Sequence, residues 1–262
     1  MVPSSRSAQH GLLEPGPPTQ TPGAILVLWD LDLTLLRPAG FGSRMIAPAL
    51  AEVLGREPVM DVAFAGRTDR AILTDLLASN GVDGPDDDDE ITALLDAVAE
   101  RCERNGQDLL DAGGGPLPGA HEAVRALGSV AGVHQGIVTG NMRRTALLKL
   151  RLCGFDGLPD PGLGAFGDDQ LDRAHMVRDA IAAARSRGIA VGPSRTVIVG
   201  DTVHDVRGAL DAGARCVGVA TGRVGGAQLA AAGAHAVLSD LTDAEALLAA
   251  LDTAVHAPAP CR

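Results

Sequence analysis

A chain of 262 residues that is 46% hydrophobic and 21% charged can bury one substantial core and a smaller appended unit. Its net charge of −11, with one Trp, four Phe and no Tyr, removes the cationic surface and the stacking aromatics that nucleic-acid binding uses. No apolar stretch is long enough to span a bilayer, and Cys102, Cys153, Cys216 and Cys261 lack the paired spacing of a zinc site, so they read as reduced packing residues.

In chain order, residues 1–23 are rich in Pro, Ser, Gly and Gln and lack the apolar stretch of a secretory signal. They are expected to form a disordered leader on a cytoplasmic protein. Residues 24–29 are an apolar run that reads as an interior strand of a parallel sheet, and it ends in Asp30-Leu31-Asp32-Leu33-Thr34. Open parallel sheets bind ligands just beyond the carboxyl ends of their strands. Two carboxylates there, with no base among them, suit a cation or a reacting phosphoryl group. A capped turn explains one Asp well and two poorly.

Residues 38–115 carry no clear buried strand. Apolar residues recur at helical spacing over 44–54, 69–80 and 88–105, with stops at Asn80-Gly81 and Asn105-Gly106. The acidic run Asp86-Asp87-Asp88-Asp89-Glu90 fits a helix N-terminus better than a calcium loop, because it lacks alternating ligands and a central Gly.

A strand over 133–138 then ends in Thr139-Gly140-Asn141, where a hydroxyl and free N–H groups suit a phosphate oxygen; alone, this turn is better read as a helix cap. A helix is expected over 142–153, a short strand over 163–166, and a helix over 174–187. A strand over 196–199 runs into Gly200-Asp201-Thr202-Val203-His204-Asp205, with Asp205 in the first turn of a helix ending near 212. Strands over 215–220 and 235–238 alternate with helices over 225–232 and 242–251, and 253–262 reads as a flexible tail. The alternation predicts an α/β fold, a doubly wound parallel sheet with helices on both faces. Right-handed crossovers bring the motif strands to one edge.

The ordered set of strand-DxDxT, strand-TGN and strand-GDxxxD resembles the haloacid dehalogenase superfamily of phosphatases. The resemblance covers most of the chain, from Ala24 to the helix near Leu251. Gly66-Arg67-Thr68-Asp69 and Leu117-Pro118-Gly119-Ala120 favour its phosphoglycolate-phosphatase-like branch. The resemblance implies a Rossmann-like core over 24–37 and 116–252 and a helical cap domain over 38–115, inserted after the first strand. Two departures stand out. Leu33 replaces a family Gly, and an ordinary backbone angle is expected there. The third-motif Lys is missing. Arg173, just before the helix that precedes the fourth motif, is the first candidate for its place; Lys149, the chain's one lysine, is the second. Lys149 lies about two turns inside its helix, so its ammonium would have to reach back, and the plainer reading is a snorkelling side chain.

What the resemblance implies is a Mg²⁺-dependent hydrolysis of a small-molecule phosphate monoester. Asp30 is the nucleophile that becomes an aspartyl-phosphate, and Asp32 the general acid and base. Asp30 and Asp201 bind the metal by carboxylate and Asp32 by its backbone carbonyl, with Asp205 in or beside the metal site. Thr139, Gly140, Asn141, Arg173 and Lys149 are the candidate phosphate binders, and Arg67 and Asp69 the candidate substrate residues in the cap. The expected partner is the phosphate ester alone, with no nucleic acid or membrane, on a monomer or homodimer. A phosphomutase of the beta-phosphoglucomutase type shares nearly every motif. A carbon–halogen hydrolase would not need Asp32. A catalytically idle regulatory protein would fit Leu33 and the absent Lys, against the intact carboxylates.

Overall fold

A computed structural model of the protein describes residues 23–82, 88–168 and 170–258. The expected leader (but for Gly23), part of the acidic run at 86–90, Cys261 and the last residues of the expected tail lie outside them.

The chain opens with β1 (Ile25–Trp29) and β2 (Leu36–Arg37), then α1 (Phe41–Leu54), α2 (Asp69–Ser79), α3 (Asp88–Arg104), α4 (Gln107–Asp111) and β3 (Gly115–Pro116). It continues with α5 (Ala120–Gly128), β4 (Val133–Ile137), α6 (Arg143–Leu152), α7 (Arg173–Ser186), β5 (Thr196–Gly200) and α8 (Val203–Asp211). It closes with β6 (Arg215–Val219), α9 (Gly226–Ala231), β7 (Ala236–Leu238) and α10 (Ala244–His256). The last helix therefore passes the expected core limit at 252.

Five strands form one sheet in the order β4-β1-β5-β6-β7, every pair parallel. β1 is an interior strand because its residues are apolar on both sides, and their period of two serves two layers. Val27 and Trp29 enter one cluster with α5 and α10; Leu26 and Leu28 enter another with α7 and α8. The indole of Trp29 is fully buried and donates to Gln135 Oε1 at 2.8 Å, which satisfies its one polar atom. β1 has β4 on one side and β5 on the other, so the chain reverses direction across the sheet at this point. The crevice at their carboxyl ends is the topological switch point where such sheets bind ligands.

The first cluster also takes in Met45, Leu73, Leu94 and Val98 from α1, α2 and α3, so the helical segment shares apolar core with the sheet domain. The two crossings between them, β2 and β3, pair antiparallel through Leu36 with Pro116 and Arg37 with Gly115. The strand expected over 163–166 is instead a 3-10 turn at Pro161–Leu163 followed by a single bridge from Ala165 to Val138. A run broken by Gly162 and Gly164 is too short to hold a ladder.

Candidate active site at the strand ends

Asp30 leaves the end of β1, Asp201 the end of β5, and Asp205 sits in the first turn of α8. All three are buried, and each offers a carboxylate oxygen within 4.8 Å of the others. Thr34 Oγ1 lies 3.3 Å from Asp30 Oδ2 and 3.4 Å from Asp201 Oδ1, so its proton tethers the two carboxylates. Burial, and then the charge of Asp205, pushes Asp30 well above the usual carboxylate range; Arg173 opposes the shift. The same two causes push Asp201 up to about 7. Carboxylates that resist ionisation together form a site short of positive charge. Hard oxygen donors in this number suit Mg²⁺.

Leu33 corrects an expectation. Its φ is +66°, in the left-handed region, rather than ordinary. The turn needs that angle: Leu33 N–H donates to Leu36 O at 2.7 Å, and Leu33 O accepts from Thr221 Oγ1 at 2.5 Å. A side chain there carries the strain that a Gly would avoid.

Arg173 opens α7 behind the Asp172 cap and reaches across to the carboxylates. Its Nη2 donates to Asp30 Oδ1 at 3.0 Å and to Asp205 Oδ1 at 2.5 Å. Gly208 makes room for this crossing, since a Cβ at that position would lie 2.4 Å from Arg173 Cγ. The other oxygen of Asp205 accepts from Thr202 N–H at 3.0 Å and Thr202 Oγ1 at 2.6 Å, a capping box that fixes it. Arg173 Nη1 and Nε are buried with no hydrogen-bond partner.

Lys149 is not a snorkelling side chain. It is 1% exposed, and its Nζ donates to Asp32 Oδ1 at 2.8 Å, Asp32 Oδ2 at 2.7 Å and Asn141 Oδ1 at 2.6 Å. The reach back is possible because helix side chains tilt toward the N-terminus; a stem of four carbons covers much of the roughly 9 Å of rise from the start of α6. Both candidate bases thus enter the site, on different aspartates.

Thr139, Gly140 and Asn141 follow β4. Thr139 Oγ1 accepts from Asn141 Nδ2 at 2.8 Å and from Asn141 N–H at 3.3 Å. Gly140 lies against the helical segment, where a Cβ would stand 2.0 Å from Arg67 O. Asp69 N–H donates to Gly140 O at 2.7 Å, and Met142 N–H donates to Asp69 Oδ2 at 2.8 Å. Burial pushes Asp69 up to about 6, against the pull of that Met142 N–H. Arg67 is paired with Asp75 at 2.7 Å and donates to Ala63 O and Ala71 O. Both residues line the cavity, but their polar ends are engaged by protein groups. Arg144 is paired with Glu103 and Asp96 on the surface.

The cavity holds about 730 Å³. One end is formed by Asp30, Asp32, Thr139, Lys149, Arg173 and Asp201. The other is formed by Phe41, Ile46, Met60, Val62, Phe64 and Val98. Cys102 lines it too, and burial raises its thiol to about 11, so it is a packing residue as expected. The sequence reading missed Thr34, Thr202 and Gly208 as site residues. Thr34 and Thr202 lie inside the quoted motifs; Gly208, three residues past Asp205, had no signal beyond being a Gly in a helix.

A HAD-hydrolase-like family model matches residues 173–244. No curated protein matches the chain. Among solved structures, a HAD family hydrolase from Deinococcus radiodurans R1 with bound phosphate and sodium is 25% identical; the match covers 89% of this chain and 98% of that one, with a TM-score of 0.53. A hydrolase from Pseudomonas syringae is 22% identical over 87% of this chain and 98% of that one, with a TM-score of 0.59. CbbY from Rhodobacter sphaeroides, in complex with phosphate, is 20% identical over 87% of this chain and 99% of that one, with a TM-score of 0.63. The matched segment begins at Arg173 and includes Asp201 and Asp205, and the parallel sheet brings them to Asp30; over that segment the chain is similar to HAD-like hydrolases, and its fold is like that of the solved HAD structures.

Proposed function

We propose that the protein is a Mg²⁺-dependent phosphatase acting on a small phosphate monoester through an aspartyl-phosphate on Asp30. The observation that carries this reading is the meeting of three buried carboxylates, Asp30, Asp201 and Asp205, with one buried guanidinium at the switch point of the sheet. Asp30, Asp201 and the carbonyl of Asp32 would hold the metal, with Asp205 beside it. Bound there, Mg²⁺ supplies the positive charge that lets a phosphate anion approach a carboxylate.

Asp30 attacks phosphorus in line with the departing oxygen. Asp32 gives its proton to that oxygen, then takes one from the water that cleaves the intermediate. Thr139, the N–H groups of the turn after β4 and the unpartnered Nη1 and Nε of Arg173 receive the equatorial oxygens.

The helical end of the cavity supports a substrate whose organic part is uncharged and substantially apolar. Lys149 and Arg173 are held by carboxylates and Arg67 by Asp75, leaving Arg223, which is solvent-exposed, as the remaining basic side chain on the wall. Phosphoglycolate, with its carboxylate, fits this wall less well than an aryl or alkyl phosphate. Among the described residues no helix is long and apolar enough to cross a membrane.

The test is a screen of phosphate esters for released phosphate, before and after chelation with EDTA. Turnover should vanish on chelation and return with Mg²⁺, and Asp30→Asn should abolish it while keeping the fold. Turnover retained by Asp30→Asn, or interconversion of sugar phosphates without phosphate release, would overturn the reading.

A further inference from the structure

The sequence holds 21 arginines and a single lysine. That lysine is fully enclosed and meets three acceptors, so each of its three N–H donors has a partner. Two of the acceptors are the oxygens of Asp32, whose side chain is 32% exposed on the cavity wall. The third is Asn141 Oδ1. This contact orients the Asn141 amide, so that Nδ2 points at Asp32 Oδ2 (3.2 Å) and Thr139 Oγ1 (2.8 Å). Asp32 is thus gripped from behind by two side chains while part of it stays open to the cavity. An ammonium suits the task better than a guanidinium: it is compact and directs three donors outward, whereas a guanidinium confines five to one plane.

We propose that Lys149 is the positioning residue of Asp32, aiming its carboxyl at the leaving oxygen, with Asn141 completing the grip. This rests on the acid and base role given to Asp32 above. As the bond from phosphorus to the leaving oxygen breaks, the proton passes from Asp32 to that oxygen. When water then attacks phosphorus and frees Asp30, the water proton passes to Asp32. Lys149 touches neither substrate nor phosphorus.

The experiment compares Lys149→Met, Asp32→Asn and wild type on two substrates in single turnover. A nitrophenolate departs without needing a proton, whereas an alkoxide needs one. Asp32→Asn should slow transfer from an alkyl phosphate far more than from 4-nitrophenyl phosphate. Lys149→Met should copy that pattern, with a roughly 10- to 100-fold loss on the alkyl ester out of the 10²–10⁴-fold that proton transfer supplies. It should lose less than about threefold on nitrophenolate release, leave KM nearly unchanged, and accumulate the aspartyl-phosphate. If Asp32→Asn does not discriminate, the acid assignment fails and the proposal with it. If Asp32→Asn discriminates and Lys149→Met slows both substrates equally, the proposal alone is overturned.

A second measurement does not depend on the Lys149 variant folding. Protein labelled with ¹⁵N-lysine gives one ammonium signal from this sequence. The proposal requires a signal protected from solvent exchange that moves in Asp32→Asn; a rapidly exchanging signal unmoved by that substitution overturns it.

Discussion

At the sheet end of the cavity, Asp30, Asp201 and Asp205 are buried and face the largely enclosed guanidinium of Arg173; at the helical end, Phe41, Ile46, Met60 and Val62 offer only van der Waals surface. The two ends are also held differently. The first hangs on the ladders of β1, β4 and β5, where a displaced strand would break several hydrogen bonds at once. The second hangs on side-chain packing between α1, α3 and the 60–69 segment. On the proposed function, chemistry would reside where the backbone is most constrained, and the choice of substrate where substitutions are cheapest.

The largest effect should come from the sheet end. Arg173→Ala removes the donor bridging Asp30 and Asp205, and it should cost roughly 10²–10³-fold in kcat, the scale seen when a charge-stabilising donor is deleted. Unfolding titrations should show a further loss of about 3–5 kcal/mol, because two buried carboxylates lose their partner. A variant with near-normal kcat would erase the distinction between the two ends.

The seam between the ends should respond to pH through Asp69. In the folded protein this carboxyl keeps its proton up to about pH 6, against 3.8 for the free group. The folded state therefore binds more protons between those values, and stability falls as pH rises through that window, then levels off above it. Asp69→Asn removes this slope while keeping an acceptor for Met142 N–H. Its gain in stability over wild type should grow by about 1–3 kcal/mol from pH 4 to pH 7, at ~1.4 kcal/mol per pH unit. Melting curves across that range test it; a parallel shift at all pH values would count against the buried carboxyl.

Two smaller changes sharpen the contrast. Leu33→Gly relieves the left-handed backbone close to Asp30 and should add about 1 kcal/mol, read as a higher urea midpoint. A drop would mean that the leucine side chain contributes more than its strain costs. At the helical end, Ala47→Lys introduces a cation on the apolar wall. It should improve kcat/KM for phosphoglycolate relative to phenyl phosphate by about fivefold, roughly 1 kcal/mol of added attraction. An unchanged ratio would show that substrates do not extend to that wall.

Most of the architecture was legible because the strands are short apolar runs ending in Gly, Asp or Thr, and their period and order require no knowledge of packing. The helices of the inserted segment were equally plain from their apolar spacing. What escaped depended on contacts far apart in sequence. The β2–β3 ribbon is two residues on each side, below any periodic signal. The five-residue α4 follows directly on Asn105-Gly106, which had been read as a stop. At the site, Asp30, Asp201 and Arg173 could be anticipated from motif order. The side-chain tilt that carries Lys149 back to Asp32 appears only when β1 and α6 are side by side, and the left-handed turn at Leu33 is set by partners at Leu36 and Thr221.

Trp29 stands immediately before Asp30, fully enclosed, with its indole held by Gln135. The chain has no second tryptophan and no tyrosine. Intrinsic fluorescence is therefore emitted from beneath the Asp30 carboxylate, so wild-type protein carries its own optical probe there. Quenching or a spectral shift on adding Mg²⁺, orthovanadate or a phosphate ester would follow occupancy in real time, without dye or label.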